Sequence, residues 1–180
     1  MPSDKLPGGP TQDEIMAVSL QKLGLRSTDV VLEIGCGTGK VSVALAKSAK
    51  AVVSLDIRPE SVAFATKTAE EAGVRTVSFS CTEATEFLQG TAVYDCAFVG
   101  GTKNLLSLLP LLAKHVRRTI VINAVLLSTV TDAVAALQEL GLFCEVLQVQ
   151  VSRSHAIAGS FMFKPIDPVF IIVGRGTACS

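Results

Sequence analysis

The chain has 180 residues, 49% apolar and 18% charged, with sixteen basic side chains balanced by sixteen acidic ones. That length suits a single domain over residues 1–180 with one well-packed core, and the zero net charge supplies no field that would draw it to nucleic acid. No apolar run approaches the ~20 residues that cross a bilayer, and MPSDKLPGGPT has no signal-peptide core, so a cytoplasmic protein engaging neither membrane nor nucleic acid is expected.

Met1 to Pro10 is rich in Pro and Gly and reads as irregular. Thr11 and Glu14 then form T-x-x-E, which predicts a capping box opening a helix. Met16, Leu20 and Leu23 share one face of that helix, and Gly24 suits its end. Val30, Val31, Leu32 and Ile34 form an apolar run of strand length that enters the turn Gly35 to Gly39. Lys40 to Ser48 reads as a helix, and Ala51 to Leu55 as a second strand ending at Asp56. Pro59 suits a first helical position, and Val62, Ala65, Ala69 and Ala72 form an apolar stripe closed by Gly73. Thr76 to Ser80 is a third strand, Glu83 to Leu88 a short helix, and Asp95 to Val99 a fourth strand running into Gly100, Gly101 and Thr102. Asn104 to His115 is helical in composition, with Pro110 expected to kink or divide it. Thr119 to Val125 is a fifth strand, and Val130, Val134 and Leu137 mark a helix closed by Gly141. Cys144 to Val151 and Val169 to Val173 supply two final strands, with Arg153 on the loop after the sixth. Seven strands alternating with helices predict an α/β fold whose mainly parallel sheet is covered on both faces.

In such a sheet a ligand lies beyond the carboxyl ends of the strands, where strand order reverses. That rule selects Gly35 to Gly39, Asp56, the turn around Cys81 to Ala84, and Val99 to Thr102. Glu33, Gly35, Gly37 and Gly39 spell E-x-G-x-G-x-G. Glycine is needed where a backbone turns sharply or passes close to a ligand, because a Cβ would clash. The Asp56 carboxylate could accept two hydrogen bonds from a ribose diol. The dinucleotide fingerprint would need a glycine where Lys40 stands, and a phosphate loop would need Gly and Ser or Thr where Ile34 and Val41 stand.

The five cysteines (Cys36, Cys81, Cys96, Cys144 and Cys179) form no C-x-x-C pair and suit small apolar roles in a reducing cytosol. With two histidines far apart, no metal site is expected.

The glycine pattern resembles motif I of class I S-adenosylmethionine (SAM) methyltransferases, which implies a Rossmann-like fold and SAM rather than NAD. By that resemblance the loop Gly35, Cys36, Gly37, Thr38 and Gly39 packs on the methionine portion of SAM and Asp56 holds the ribose. Glu83 stands where the family often has an acidic residue near the adenine, although a carboxylate at a helix start is equally favoured by the dipole. Ala84 leaves room for a flat ring. VGGT after the fourth strand replaces the [DN]-P-P-[YF] of enzymes that methylate adenine or glutamine nitrogens.

Beyond that core, nearly the whole chain resembles the CbiT family of decarboxylating cobalt-precorrin-6B C15-methyltransferases. PGGPTQDEI is similar to its P-G-P-T opening, whose threonine, here Thr11, approaches SAM. FVGGT, NAVLLST and VSRSHAIAGSFMFKPIDPVFIIVG are similar to its later segments. Asp167 stands for the usual Asn, Glu83 for the commoner Asp, and His115 to Arg118 for a Pro-Gly-Gly turn. The resemblance implies C15 methylation coupled to loss of an acetate-arm carboxyl from cobalt-precorrin-6B or its metal-free counterpart in cobalamin biosynthesis. It also implies a homotetramer and, in some organisms, a C5-methyltransferase module. The nucleophile is then a substrate carbon, and no catalytic side chain is assigned. A carboxylate-fringed tetrapyrrole needs cations, for which Arg153 comes first, then His155, Lys103 and Lys164, with Gly100 and Gly101 beside it. Phe161, Met162 and Phe163 line the macrocycle pocket or, equally well, belong to the core or to a subunit interface. Methylation of another small molecule and a non-catalytic SAM-binding subunit are the competing readings.

Overall fold

The computed structural model describes residues 11–177, so the expectations for Met1 to Pro10 and for Cys179 fall outside it. In chain order the elements are α1 (Asp13–Leu23), β1 (Val30–Ile34), α2 (Lys40–Ala46), β2 (Ala51–Asp56), α3 (Pro59–Glu71), β3 (Val77–Cys81), α4 (Ala84–Phe87) and β4 (Tyr94–Val99). There follow α5 (Leu105–His115), β5 (Val116–Ala124), α6 (Leu127–Glu139), β6 (Phe143–Val149), β7 (Ser152–Ile157), β8 (Ser160–Pro165) and β9 (Val169–Arg175).

Seven strands form one sheet in the order β3-β2-β1-β4-β5-β9-β6, and β9 alone runs against its neighbours. Successive strand residues point to opposite faces, which divides the core in two. Leu32, Ile34, Ala97, Val99, Ile120 and Ile122 pack against α4 to α6. Val31, Cys96, Phe98 and Val121 pack against α1 and α2, and α3 lies beside α2 over β2 and β3. Burial on both faces is why these strands are continuous apolar runs, and each fully buried Leu or Ile contributes roughly 1.5–3 kcal/mol. Among the described residues no helix is long and apolar enough to cross a membrane.

The expected capping box does not form. Gln12, not Thr11, is the N-cap of α1, with no side-chain capping bond. A competing partner explains the missing Glu14 half of the box: its carboxylate accepts from Arg153 at 2.7 Å. Pro110 does not divide α5, which runs unbroken and directly into β5 at Val116. Pro110 lies on the exposed side, where water can serve the carbonyl whose helical bond it forfeits.

The largest departure from expectation is the segment around Arg153, which is a β-hairpin rather than a loop. Strands β7 and β8 pair antiparallel outside the main sheet, with Ser160 opposite Ile157. Between them Ala158 and Gly159 have φ of 45° and 76°, the left-handed pair that a tight two-residue turn demands. Both hairpin faces are exposed, so no polar–apolar alternation marks the segment in the sequence. Of the four described cysteines, all free thiols, Cys36 and Cys96 are buried as expected, whereas Cys81 and Cys144 are exposed.

Candidate active site

Strand order reverses at β1, which lies between β2 and β4, and a cavity of about 540 Å³ opens there at the carboxyl ends of the strands. Its size falls in the ~300–1,000 Å³ range of small-molecule sites.

Backbone bonds across the strand ends build its floor. Gly35 and Cys36 N–H donate to the Leu55 carbonyl at 2.8 and 3.0 Å, and Gly100 and Gly101 N–H donate to the Ile34 carbonyl at 2.8 and 3.1 Å. These ties press the two glycine turns together. A Cβ on Gly35 would stand 2.6 Å from the Gly101 nitrogen, and Gly35 has φ +88°, so no larger residue fits. Gly37, also at positive φ, is different: a Cβ there would meet nothing within 4 Å, because its open side adjoins the cavity. Gly39 does not line the cavity; it closes the turn onto the Cys36 carbonyl at 2.8 Å and serves as N-cap of α2.

Asp56 ends β2 with its side chain 4% exposed. Its Oδ2 accepts from Gly37 N–H at 3.1 Å and Arg58 Nη2 at 3.2 Å, and its Oδ1 from Arg58 N–H at 3.0 Å and Arg58 Nε at 3.1 Å. Burial pushes the Asp56 pKa up, but the Arg58 guanidinium and the two backbone N–H groups outweigh it and hold the carboxyl below its ordinary value.

Behind the turn, Glu33 is fully buried on the α2 side of the sheet, with Oε2 accepting from the hydroxyls of Ser42 and Ser54. Its Oε1 has no partner among the described residues. Burial raises its pKa to about 7, with the nearby Asp56 charge adding to the shift. Burial first, then the Glu33 and Asp56 charges, push the Cys36 thiol up to about 12, so Cys36 offers no thiolate at neutral pH.

Thr11, Cys36, Thr38, Glu83, Ala84 and Lys103 join Gly35, Gly37, Asp56, Gly100 and Gly101 on the cavity wall. Lys40 ties the front of α1 across this wall, holding the Thr11 carbonyl and pairing with Asp13 at 2.7 Å. Glu83 is the N-cap of α4, its carboxylate accepting from Thr85 N–H at 2.7 Å and Glu86 N–H at 3.1 Å. The Thr85 hydroxyl first, then those two backbone bonds, lower its pKa.

Arg153 and His155 do not line the main cavity. With Lys164 they line an adjoining groove of about 340 Å³, and Ile166 and Asp167 border both spaces. Arg153 lies directly opposite Lys164 and His155 opposite Met162, so the three basic residues share one hairpin face. Phe161 and Phe163 share the other, their rings edge to face at 6.0 Å. Like charges placed opposite each other destabilise a strand pair unless an anion lies between them; here Glu14 answers Arg153.

Sequence reasoning missed Arg58, Lys40, Asn123 and Val125 as wall residues. The carboxyl-end rule, extended to β5, would have found Asn123 and Val125. Side-chain direction at Lys40 is set by packing and leaves no local signal, whereas Pro59, which keeps Arg58 extended two residues after Asp56, was a local signal for Arg58. Among the described residues no group of three or more His, Cys, Asp or Glu could hold a metal ion.

Residues 7–174 match the family described as the precorrin methyltransferase domain. A protein of Methanosarcina acetivorans, named cobalt-precorrin-6B C(15)-methyltransferase (decarboxylating), is 43% identical over 176 residues, covering 95% of this chain and 96% of that protein. Its counterpart by name in Methanosarcina mazei is 43% identical over 173 residues, 93% of this chain and 94% of that one. Among solved structures, precorrin 8W decarboxylase of Methanobacterium thermoautotrophicum superposes with a TM-score of 0.90 at 27% identity, covering 94% of this chain and 95% of that one. Precorrin-6Y C5,15-methyltransferase of Geobacter metallireducens gives 0.88 at 28% identity, covering 95% and 93%. The glycine turn, the reversal of strand order at β1 and these matches have one explanation: the chain is a class I SAM-dependent methyltransferase and belongs to the precorrin methyltransferase family.

Proposed function

We propose that this chain methylates C15 of cobalt-precorrin-6B and removes the carboxyl of its acetate arm, in the cytoplasm, as a step of cobalamin biosynthesis. The observation that carries this reading is 43% identity, over 95% of the chain, to a relative named for that reaction. The cavity supports it. The open side of Gly37 admits a ligand against the backbone, and Asp56 presents a buried, ionised carboxylate of the kind a ribose diol requires.

Bound SAM supplies an electrophilic methyl group on a sulfonium sulfur. In this assignment Gly35 to Thr38 cradle its methionine portion, Asp56 takes the ribose, and Glu83 and Ala84 border the adenine. Thr11, held by Lys40, closes the wall. Methyl transfer between two bound partners draws much of its acceleration from alignment, which these rigid strand ends provide. The nucleophile is a carbon of the tetrapyrrole, and the electrons released with CO2 return to the macrocycle, so no serine, cysteine or histidine nucleophile is required. Arg153, His155 and Lys164 in the adjoining groove, with Lys103 at the cavity, offer cations to the carboxylate fringe, and Gly100 and Gly101 let the ring approach the backbone.

A homotetramer belongs to the same proposal. Phe161 and Phe163, each 63% exposed on one hairpin face, supply an apolar surface suited to a second copy, and a C5-methyltransferase is the partner module the pathway would call for. Incubation of the purified protein with SAM and cobalt-precorrin-6B, followed by mass analysis, tests the reaction. Gain of a methyl group with loss of CO2 supports it; measurable SAM binding without any mass change directs attention to other acceptors.

A further inference from the structure

The carboxylate assigned to the ribose is already occupied by a side chain of the same protein. An ionised carboxylate offers about four acceptor positions. At Asp56 two are taken by the backbone N–H groups of Gly37 and Arg58, which the turn holds in place. The other two are taken by Nε and Nη2 of the Arg58 guanidinium, at 3.1 and 3.2 Å. A cis diol would present a similar fork of two neighbouring O–H donors to the same oxygens.

The sequence builds this contact. Pro59 bars Arg58 from helical backbone, and Arg58 is extended, with φ −101° and ψ 116°. Residues two apart along extended backbone point the same way, which returns the guanidinium to Asp56. The two partners differ in exposure. Asp56 is almost wholly buried at a strand end, whereas the Arg58 side chain is 34% exposed and has solvent to move into.

We propose that Arg58 is a built-in competitor for the ribose diol of SAM, a latch on Asp56 that the cofactor must displace. The proposal rests on the assignment of Asp56 to the ribose. A latch closed about nine-tenths of the time lowers apparent affinity about tenfold, because only the open fraction binds. It would also narrow the preference for nucleosides with both hydroxyls over deoxy analogues, because only the diol has to displace the guanidinium.

The test is calorimetric titration with S-adenosylhomocysteine, which lacks the sulfonium charge, and with its 2′,3′-dideoxy analogue, at pH 8 where Asp56 stays ionised. Arg58→Met is expected to bind S-adenosylhomocysteine about tenfold tighter than the parent protein and to show no gain for the dideoxy analogue. Arg58→Lys keeps the charge without the fork and is expected to share much of the gain. Unchanged or weaker binding by both variants, or an equal gain for the dideoxy analogue, overturns the latch. Asp56→Asn separates the two ideas. Loss of affinity there without a gain in the Arg58 variants overturns the latch alone; unchanged affinity in Asp56→Asn removes the ribose assignment and the latch with it.

Discussion

Arg118, on β5, closes its guanidinium on Asp29, the residue before β1, with Nη1 at 3.0 Å from Oδ1 and Nη2 on Oδ2. The same Nη2 reaches the Gly24 carbonyl at 3.1 Å, and Asp29 also accepts from Arg26 N–H at 2.8 Å. One pair thus joins the end of α1, the start of β1 and the start of β5. Since β1 carries the glycine turn at its far end, this anchor fixes the strand on which the cavity is built.

Arg118→Ala leaves the Asp29 carboxylate, 2% exposed, without its cation. Removing one member of such a pair is expected to cost about 3 kcal/mol, read as a lower urea midpoint at unchanged slope. Burial pushes the Asp29 pKa up, but Arg118 and the Arg26 N–H more than compensate and depress it. The native state therefore binds fewer protons than the unfolded chain in acid. The pair's contribution is present above the ordinary Asp pKa and is lost as pH falls through the depressed one. A variant whose midpoint matches the parent at pH 7 would remove Asp29 and Arg118 as an anchor.

The glycine turn was legible because its signals are local: an apolar run, spaced glycines, a following strand and Asp56 all fall within 30–56. Asp29 and Arg118 were not, since a pair 89 residues apart is made by sheet order and not by spacing. The hairpin escaped for another reason. Alternation reveals a strand when one face is buried, and β7 and β8 bury neither. At the front of α1 the capping signature failed because Arg153, distant in sequence, took the Glu14 carboxylate that would have made half of the box. The family resemblance supplied what periodicity could not, namely that the Arg153 segment lies by the cavity.

Gly35→Ala tests the contact between the two glycine turns. The added methyl would lie 2.6 Å from the Gly101 nitrogen at a φ of +88°. Left-handed strain and overpacking each cost of order 1–3 kcal/mol, so a lower melting temperature is expected. Separation of the turns would also deform the cavity floor, so the melting shift induced by S-adenosylhomocysteine should vanish. A variant that keeps the full shift would show that the close approach of the turns is not needed for binding.

Glu33 makes a pH prediction of the opposite sign to Asp29. Its native pKa of about 7 lies above the ordinary 4.5, so between these values the folded chain holds a proton that the unfolded chain has released. Stability contributed by this group is therefore full below the ordinary value, falls as pH rises through the window, and stays low above it. The loss is on the order of 3 kcal/mol, from roughly 1.4 kcal/mol per pKa unit. Glu33→Gln, which cannot ionise, should flatten that decline when unfolding is measured in urea from pH 4 to 8. An equal decline in the variant would place its origin in another group.

Arg153→Ala separates substrate recognition from cofactor binding. The side chain is exposed, lines the groove beside the cavity, and pairs with Glu14 of α1 rather than with any residue of the glycine turn. If it meets a substrate carboxylate, its loss should raise KM for the tetrapyrrole about tenfold, the size of one charge-assisted hydrogen bond partly screened by solvent. The difference from the parent should shrink as salt is raised, because salt weakens the parent's charge contact and leaves the variant little to lose. Affinity for S-adenosylhomocysteine should not move. Equal loss of both affinities would instead assign Arg153 a structural part, holding Glu14 and the front of α1 against the cavity wall.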